Sequence, residues 1–344
     1  MEIASIGSGA PREEVLIENA AEDPVRGRDV NGMICHLPDG SGRFVAGEDT
    51  GQPQPPAGWG LFAPDGTQLT RLVAPATAEK PEPYGCAFDG EGRLFTTEVG
   101  DPGFGFGNGQ LILWFPPYDA PSPAFCKLAT DLGTATGVAV DRSGRVYVAA
   151  SSGLRIERFS PPFPSGPDAA GGCGDRDASG APLAAGVARD TFAWARPLSG
   201  LLTYSGLALA PDGRSLYAAS VVSGRIGEFD LDGTLLRLVL DPGAWLPPYA
   251  FGTPQGLGVD GAGSLYYADL DLVYQGLTPG PGPDGKLWRI RFADGAPLAP
   301  EIVLRGPPPR RRDTRARAAR SRAPAARRPR NGCATACRRG RGPA

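Results

Sequence analysis

Residues 136–150, TGVAVDRSGRVYVAA, decide how the rest of the chain is read. Gly137 opens an apolar strand, Asp141 to Gly144 supply the residue types that bond within and tolerate a tight turn, and Val146 to Ala150 return as a second strand. The same plan recurs on both sides: NGMICHLPDGSGRFVAGED at 31–49, YGCAFDGEGRLFTTE at 84–98, SGLALAPDGRSLYAAS at 205–220 and QGLGVDGAGSLYYAD at 255–269. The residues before the leading glycines, Asn31, Tyr84, Thr136, Ser205 and Gln255, stand 53, 52, 69 and 50 apart. Self-similarity at such a period marks a repeat architecture. The one long interval contains residues 160–182, SPPFPSGPDAAGGCGDRDASGAP, whose Pro, Gly and Asp content predicts an inserted loop.

Each strand pair is followed by a third strand and usually a fourth. These are WGLFAPDGTQLTRLV (59–73), QLILWFPP (110–117) with AFCKLA (124–129), LRIERF (154–159), RIGEFDLDGTLLRLVL (225–240) and KLWRIRFADGAPLAPEIVL (286–304). Four-stranded antiparallel units of this size are propeller blades, so the expected fold is an all-β propeller over residues 13–305, with five recognisable blades and a sixth incomplete. Gly and Pro make up 87 of 344 residues, which fits turns between many short strands and disfavours helical bundles.

GVAVDRSGRVYVAA and GLGVDGAGSLYYAD resemble the repeat of NHL propellers and of the six-bladed gluconolactonase, regucalcin and strictosidine-synthase-like superfamily. The resemblance covers residues 13–305. It implies six blades and a range of activities, from lactone hydrolysis to plain scaffolding, because fold alone fixes no reaction. In gluconolactonase-like relatives a divalent metal is held by Glu, Asn and Asp side chains at the positions before the leading glycines. Here only Asn31 matches in type, and Ser205 and Gln255 stand where Asn and Asp are expected.

A sixth leading glycine is due about 52 residues after Gln255, near position 307. Instead, residues 306–344 carry 13 Arg and one acid, Asp313, with no Val, Ile, Leu, Met, Phe, Tyr or Trp. Such a stretch cannot bury a core face and is expected to be disordered. Two readings stand: a basic tail for nucleic acid or an acidic partner, or a shifted reading frame that replaces the sixth blade. The second explains why the tail begins where a blade is due in a chain whose body uses 19 Arg to 3 Lys, the bias of a GC-rich gene. EEVLIENA, residues 13–20 after a short lead of 1–12, then reads as an outer strand whose partners are missing, leaving an open ring with an exposed edge.

The formal charge of −2 hides an asymmetry: the tail is +12 and residues 1–305 are −14. An acidic body repels phosphate backbones and anionic lipid, so nucleic-acid binding would rest on the tail alone. No run of 18 apolar residues and no basic start followed by an apolar stretch occurs, which predicts a soluble, cytoplasmic chain, or an exported one if the start codon is misplaced. Of six cysteines none forms a CxxC pair; Cys35 and Cys86 read as buried thiols, whereas Cys126 and Cys173 sit nearer loops and are candidates for a bridge.

In a blade the innermost strand starts at the channel mouth, so Asn31, Tyr84, Thr136, Ser205 and Gln255 are expected to form a ring there. The second strands of copies one, two and five end in Glu48, Glu98 and Asp269 beside the long loops TGQPQPPAG, VGDPGFGFGNG and LDLVYQGLTPGPGPDG, and carboxylates gathered at a concave mouth are candidate ligand or metal groups. Their structural reading is that they cap turns. A hard cation such as Ca²⁺, or Zn²⁺, would draw on Asn31, Glu48, Glu98 and Asp269. The single His36 aligns with Asp89, Asp141 and Asp260 at the opposite turn, where a structural role is expected. One histidine excludes mechanisms that need two imidazoles, and no GxSxG is present. GPGPDGKL, 280–287, resembles a phosphate loop but leads into a strand and spends two donors on proline. GFGFGNG, 103–109, likewise reads as a turn whose Phe104 and Phe106 flank the mouth. Two functions follow: a propeller that binds a small polar ligand or a protein partner at the mouth, or a metal-dependent lactone or ester hydrolase of gluconolactonase type.

Overall fold

The second strand of each repeat is apolar on both sides, and the structure, a computed structural model, shows why. It describes residues 3–5, 12–14, 29–49, 58–75, 82–100, 108–168, 172–184, 186–195, 203–244, 247–275, 278–282 and 285–305. Within them lie five antiparallel blades arranged as a propeller. Blade 1 comprises Asp29–His36, Phe44–Asp49, Gly58–Phe62 and Gln68–Leu72, and blade 2 Pro83–Phe88, Leu94–Glu98, Gly109–Trp114 and Phe125–Leu132. Blade 3 comprises Ala135–Val140, Val146–Ala150, Arg155–Ser160 and Ala188–Trp194. Blade 4 is Leu207–Leu209, Ser215–Ser220, Arg225–Asp230 and Leu235–Leu240, and blade 5 is Pro254–Val259, Leu265–Asp269, Lys286–Ile290 and Glu301–Arg305.

Side chains alternate across each strand, so a central strand serves two cores at once. In blade 2, Leu94 packs against Val45 and Trp59 of blade 1, while its neighbour Phe95 joins Val146 and Val148 of blade 3. Tyr147 and Ala149 point the other way, to Leu216 and Ala218 of blade 4; Tyr217 and Ala219 in turn meet Leu265 and Tyr267 of blade 5.

The leading glycines have a steric cause. A Cβ on Gly32 would stand 2.7 Å from the Pro83 carbonyl oxygen, and one on Gly85 2.5 Å from that of Thr136. Those on Gly137 and Gly206 would come closer still to the Ser205 and Gln255 carbonyls. Inner strands of successive blades therefore meet backbone to backbone. At the far end the turn carboxylates act as expected: Asp89 Oδ1 accepts from the Glu91 and Arg93 amides, Asp141 Oδ1 from Ser143 and Arg145, and Asp260 Oδ1 from Ala262 and Ser264. In blade 1 this part falls to Asp39, which accepts from the Ser41 amide. His36 departs from the expected turn role: it is the exposed end of the inner strand, its ring 5.8 Å from Phe44.

Cys35 and Cys86, expected as free thiols, form a disulfide between the inner strands of blades 1 and 2, with Cα atoms 6.0 Å apart. Read strand by strand they look like separate core residues; the contact between blades brings them together. The expected loop at 160–182 also does more than span a gap. Asp175–Arg176 and Pro182–Leu183 pair as a hairpin, and Leu183 pairs in parallel with Lys127, so the insertion leaves blade 3 and extends blade 2 to six strands. Cys126–Cys173 and a buried ion pair, Lys127 Nζ to Asp177 Oδ2 at 2.5 Å, fasten it. Arg12–Glu14, which overlaps the segment expected to close the last blade, pairs with Ile3–Ser5. The rest of that segment and residues 306–344 lie outside the described residues.

Candidate functional site

Four of the five inner strands are irregular in the same place. The ladder slips between Asn31 and Ile34, Pro83 and Cys86, Ala135 and Val138, and Pro254 and Leu257, so a bulge sits on the leading glycine in blades 1, 2, 3 and 5. A bulge re-aims the residue beside it. Tyr84 and Gln255 use this freedom to approach: the Gln255 side chain comes near the Tyr84 hydroxyl, although blades 2 and 5 do not follow one another in the ring. Tyr84 keeps some accessible surface, yet protein surrounds it. Burial pushes its hydroxyl far above the ordinary tyrosine range, and it stays neutral.

Thr136 and Ser205 behave otherwise. The Thr136 hydroxyl lies 3.2 Å from the Ala149 carbonyl of its own blade and 3.3 Å from that of Tyr204 in blade 4. Ser205 repeats the arrangement, 3.4 Å from Ala219 and 3.4 Å from Pro254 of blade 5. Thr97 bonds in the same way to the Thr136 carbonyl. These hydroxyls stitch one blade to the next. The Asn31 backbone pairs with Gly47, and its side chain lies outside the described residues.

The three carboxylates hold equivalent positions at or beside the ends of their second strands but do not converge, because second-strand side chains point between blades, each into its own crevice. Glu48 is buried, 2.6 Å from Arg71 Nε and 2.8 Å from Gln68 Nε2. Asp269 accepts at Oδ1 from the Thr253 amide at 2.8 Å, the Thr253 hydroxyl at 3.3 Å and the Asp271 amide at 2.7 Å, and at Oδ2 from Trp288 Nε1 at 3.2 Å. It caps a turn. Glu98 is the exception. Only 2 % exposed, it accepts a single hydrogen bond among the described residues, from Gln110 Nε2 at 3.0 Å. Burial pushes its carboxyl up to about 7, the Lys127 ammonium only partly opposing the shift. Among the described residues no three His, Cys, Asp or Glu side chains come together as a metal cluster.

Gln110, beside Glu98, and Trp59 escaped sequence reasoning. Both are fully buried, yet Gln110 Oε1 and Trp59 Nε1 find no hydrogen-bond partner among the described residues. A polar residue opening the buried run QLILW was the available signal for Gln110. Thr278–Pro281 and Lys286–Ile290 are strands, so 280–287 holds no phosphate-loop helix; Phe104 and Phe106 lie outside the described residues. A groove of about 600 Å³ at the opposite end, between the turns of blades 2 and 3, is edged by Asp89 and Asp141, which are paired with Arg93 and Arg145.

No protein-family model matches the sequence, and no curated protein matches it either. Solved structures do. A luciferin-regenerating enzyme superposes with a TM-score of 0.53 at 15% identity, over 79% of this chain and 81% of that one. A catalytically inactive virginiamycin B lyase from Staphylococcus aureus, determined with quinupristin, gives 0.51 at 13% identity over 88% and 76%. A calcium-binding regucalcin from Agrobacterium tumefaciens strain C58 gives 0.46 at 14% over 68% and 66%. At such identities the likeness speaks to fold: this chain is a β-propeller built like those of the luciferin-regenerating enzyme and the streptogramin-class lyases.

Proposed function

We propose that the protein binds a small polar ligand at the mouth of its central channel and that the binding groups are uncharged. The observation that carries this reading is the approach of Gln255 to the Tyr84 hydroxyl, two neutral side chains from blades 2 and 5 at positions where the inner strands bulge. Concave sites of this kind select by a few convergent hydrogen-bonding groups. Thr136 and Ser205 support the floor, and Glu98 is, among the described carboxyls, the one that burial holds near neutrality. The metal-dependent hydrolase reading asks for several oxygen ligands around one ion. Glu48 and Asp269 are already engaged by internal donors, which favours the ligand-binding reading over it.

The test is metal content of the purified protein, thermal shift with Ca²⁺ and Zn²⁺, and a lactone and ester turnover screen. The expected outcome is no stoichiometric metal, no shift and no turnover. A metal-dependent shift accompanied by lactone hydrolysis would replace this reading with the hydrolase.

A further inference from the structure

The end of the blades opposite the mouth is made of the Asp and Gly turns, and two hollows lie between them. The larger, about 600 Å³, separates residues 89–93 of blade 2 from 141–144 of blade 3. The smaller, about 300 Å³, lies between residues 37–43 of blade 1 and 116–119 of blade 2. Glu91 borders both, so together they form a cleft across the ends of three successive blades. Its volume is that of a ligand site, and its course suits an extended chain better than a compact molecule.

The walls are fixed in advance. Asp89 and Asp141 hold their turns through backbone amides, and the Tyr118 hydroxyl donates to the Gly92 carbonyl between the two loops of blade 2. Phe88, Val140, Pro117 and Tyr118 give the cleft apolar lining. The charges are sorted by depth. Glu91, Asp119 and Asp39 are 73, 55 and 42 % exposed, whereas Arg93 and Arg43, which pair with them, are 12 and 28 % exposed. Arg142, also on the rim, turns its Nη2 to the Pro211 carbonyl of blade 4, 2.8 Å away. A partner therefore meets carboxylates first.

We propose that this cleft docks an extended, basic segment of a partner protein, whose cations pair with Glu91 and Asp119 and whose apolar side chains rest on Phe88 and Val140. Charge selects this occupant: nucleic acid, an anionic membrane or a second copy of the acidic body would each bring like charge to the rim. The cleft stands at the far end from the mouth and does not depend on what binds there.

Fluorescence anisotropy of the full chain with a labelled peptide of four Arg-Pro-Leu repeats, and with four Glu-Pro-Leu repeats as the reversed-charge control, tests the cleft. The expected result is saturable binding of the basic peptide and none of the acidic one. Glu91→Ala and Asp119→Ala are each expected to weaken it about three- to fivefold. Asp131→Ala, which removes a similarly exposed acid at the mouth end, is expected to leave it unchanged. Gly90→Trp tests the cleft by shape: a Cβ there meets nothing within 4 Å, so the indole enters the larger hollow without a clash and lowers affinity about tenfold. Thermal unfolding of each variant checks that it folds. No binding of the basic peptide overturns the proposal, as does equal binding of the acidic one. An equal loss in Asp131→Ala, the mark of diffuse charge attraction, or native affinity in Gly90→Trp overturns it too.

Discussion

Gly137 has no side chain because the Ser205 carbonyl occupies the space one would need. Gly137→Ala must push apart the inner strands of blades 3 and 4, and overpacking of this kind costs about 1–3 kcal/mol. A lowered urea midpoint with an unchanged slope is the expected signature. Glu98 sets a pH dependence at the same scale. Its folded-state carboxyl titrates near 7 against an ordinary 4.5, so the folded chain holds a proton that the unfolded chain releases between those values. Stability is therefore full below about 4.5, falls as pH rises, and levels off above about 7, a loss on the order of 3 kcal/mol. Glu98→Gln is expected to match the native protein at pH 4 and to unfold at a higher temperature at pH 8. Equal melting temperatures at pH 8 would show that the carboxyl is better solvated than its burial indicates.

The insertion shows what an element owes to contacts beyond its own neighbourhood. Its ends belong to blade 3, and a Pro- and Gly-rich composition reads as a loop. Nothing in that composition reveals that its middle pairs with Phe125–Leu132 of blade 2. Cys173 and Asp177 were the legible hints, since each acquires a partner, Cys126 and Lys127, that is buried in the preceding blade. Asp177→Asn leaves the Lys127 ammonium in a dry site without its counter-ion. Breaking a buried pair from one side costs about 3–5 kcal/mol, so the variant is expected to lose stability and to become cleavable within 160–187 by a protease that spares the native protein. Elsewhere the elements follow their sequence closely: the Asp and Gly turns form as expected, because each depends only on side chain to backbone bonds two to four residues away.

For the whole molecule, the five blades were legible because each repeats one local pattern, while contacts between blades were not. Cys35 and Cys86 lie 51 residues apart, about one repeat, and become partners only when two inner strands are laid side by side. The same limit hid the approach of Gln255 to Tyr84 and the bonds by which Thr136 and Ser205 tie one blade to the next. Loop-entropy reasoning gives a cross-link of this span about 4 kcal/mol, so replacing both Cys35 and Cys86 by alanine is expected to lower the melting temperature by several degrees in calorimetry. An unchanged melting temperature would mean that blades 1 and 2 hold together without it. The glycine series carries a last consequence. A Cβ on Gly256 would meet only Ala268 of its own blade, at 3.9 Å among the described residues, whereas its four counterparts would strike the following strand. Alanine should be harmless at 256 and damaging at 85, 137 and 206. Among the described residues the circle of blades therefore shows a seam, and tolerance to a single methyl group, scanned round the molecule, would test for it without any coordinates.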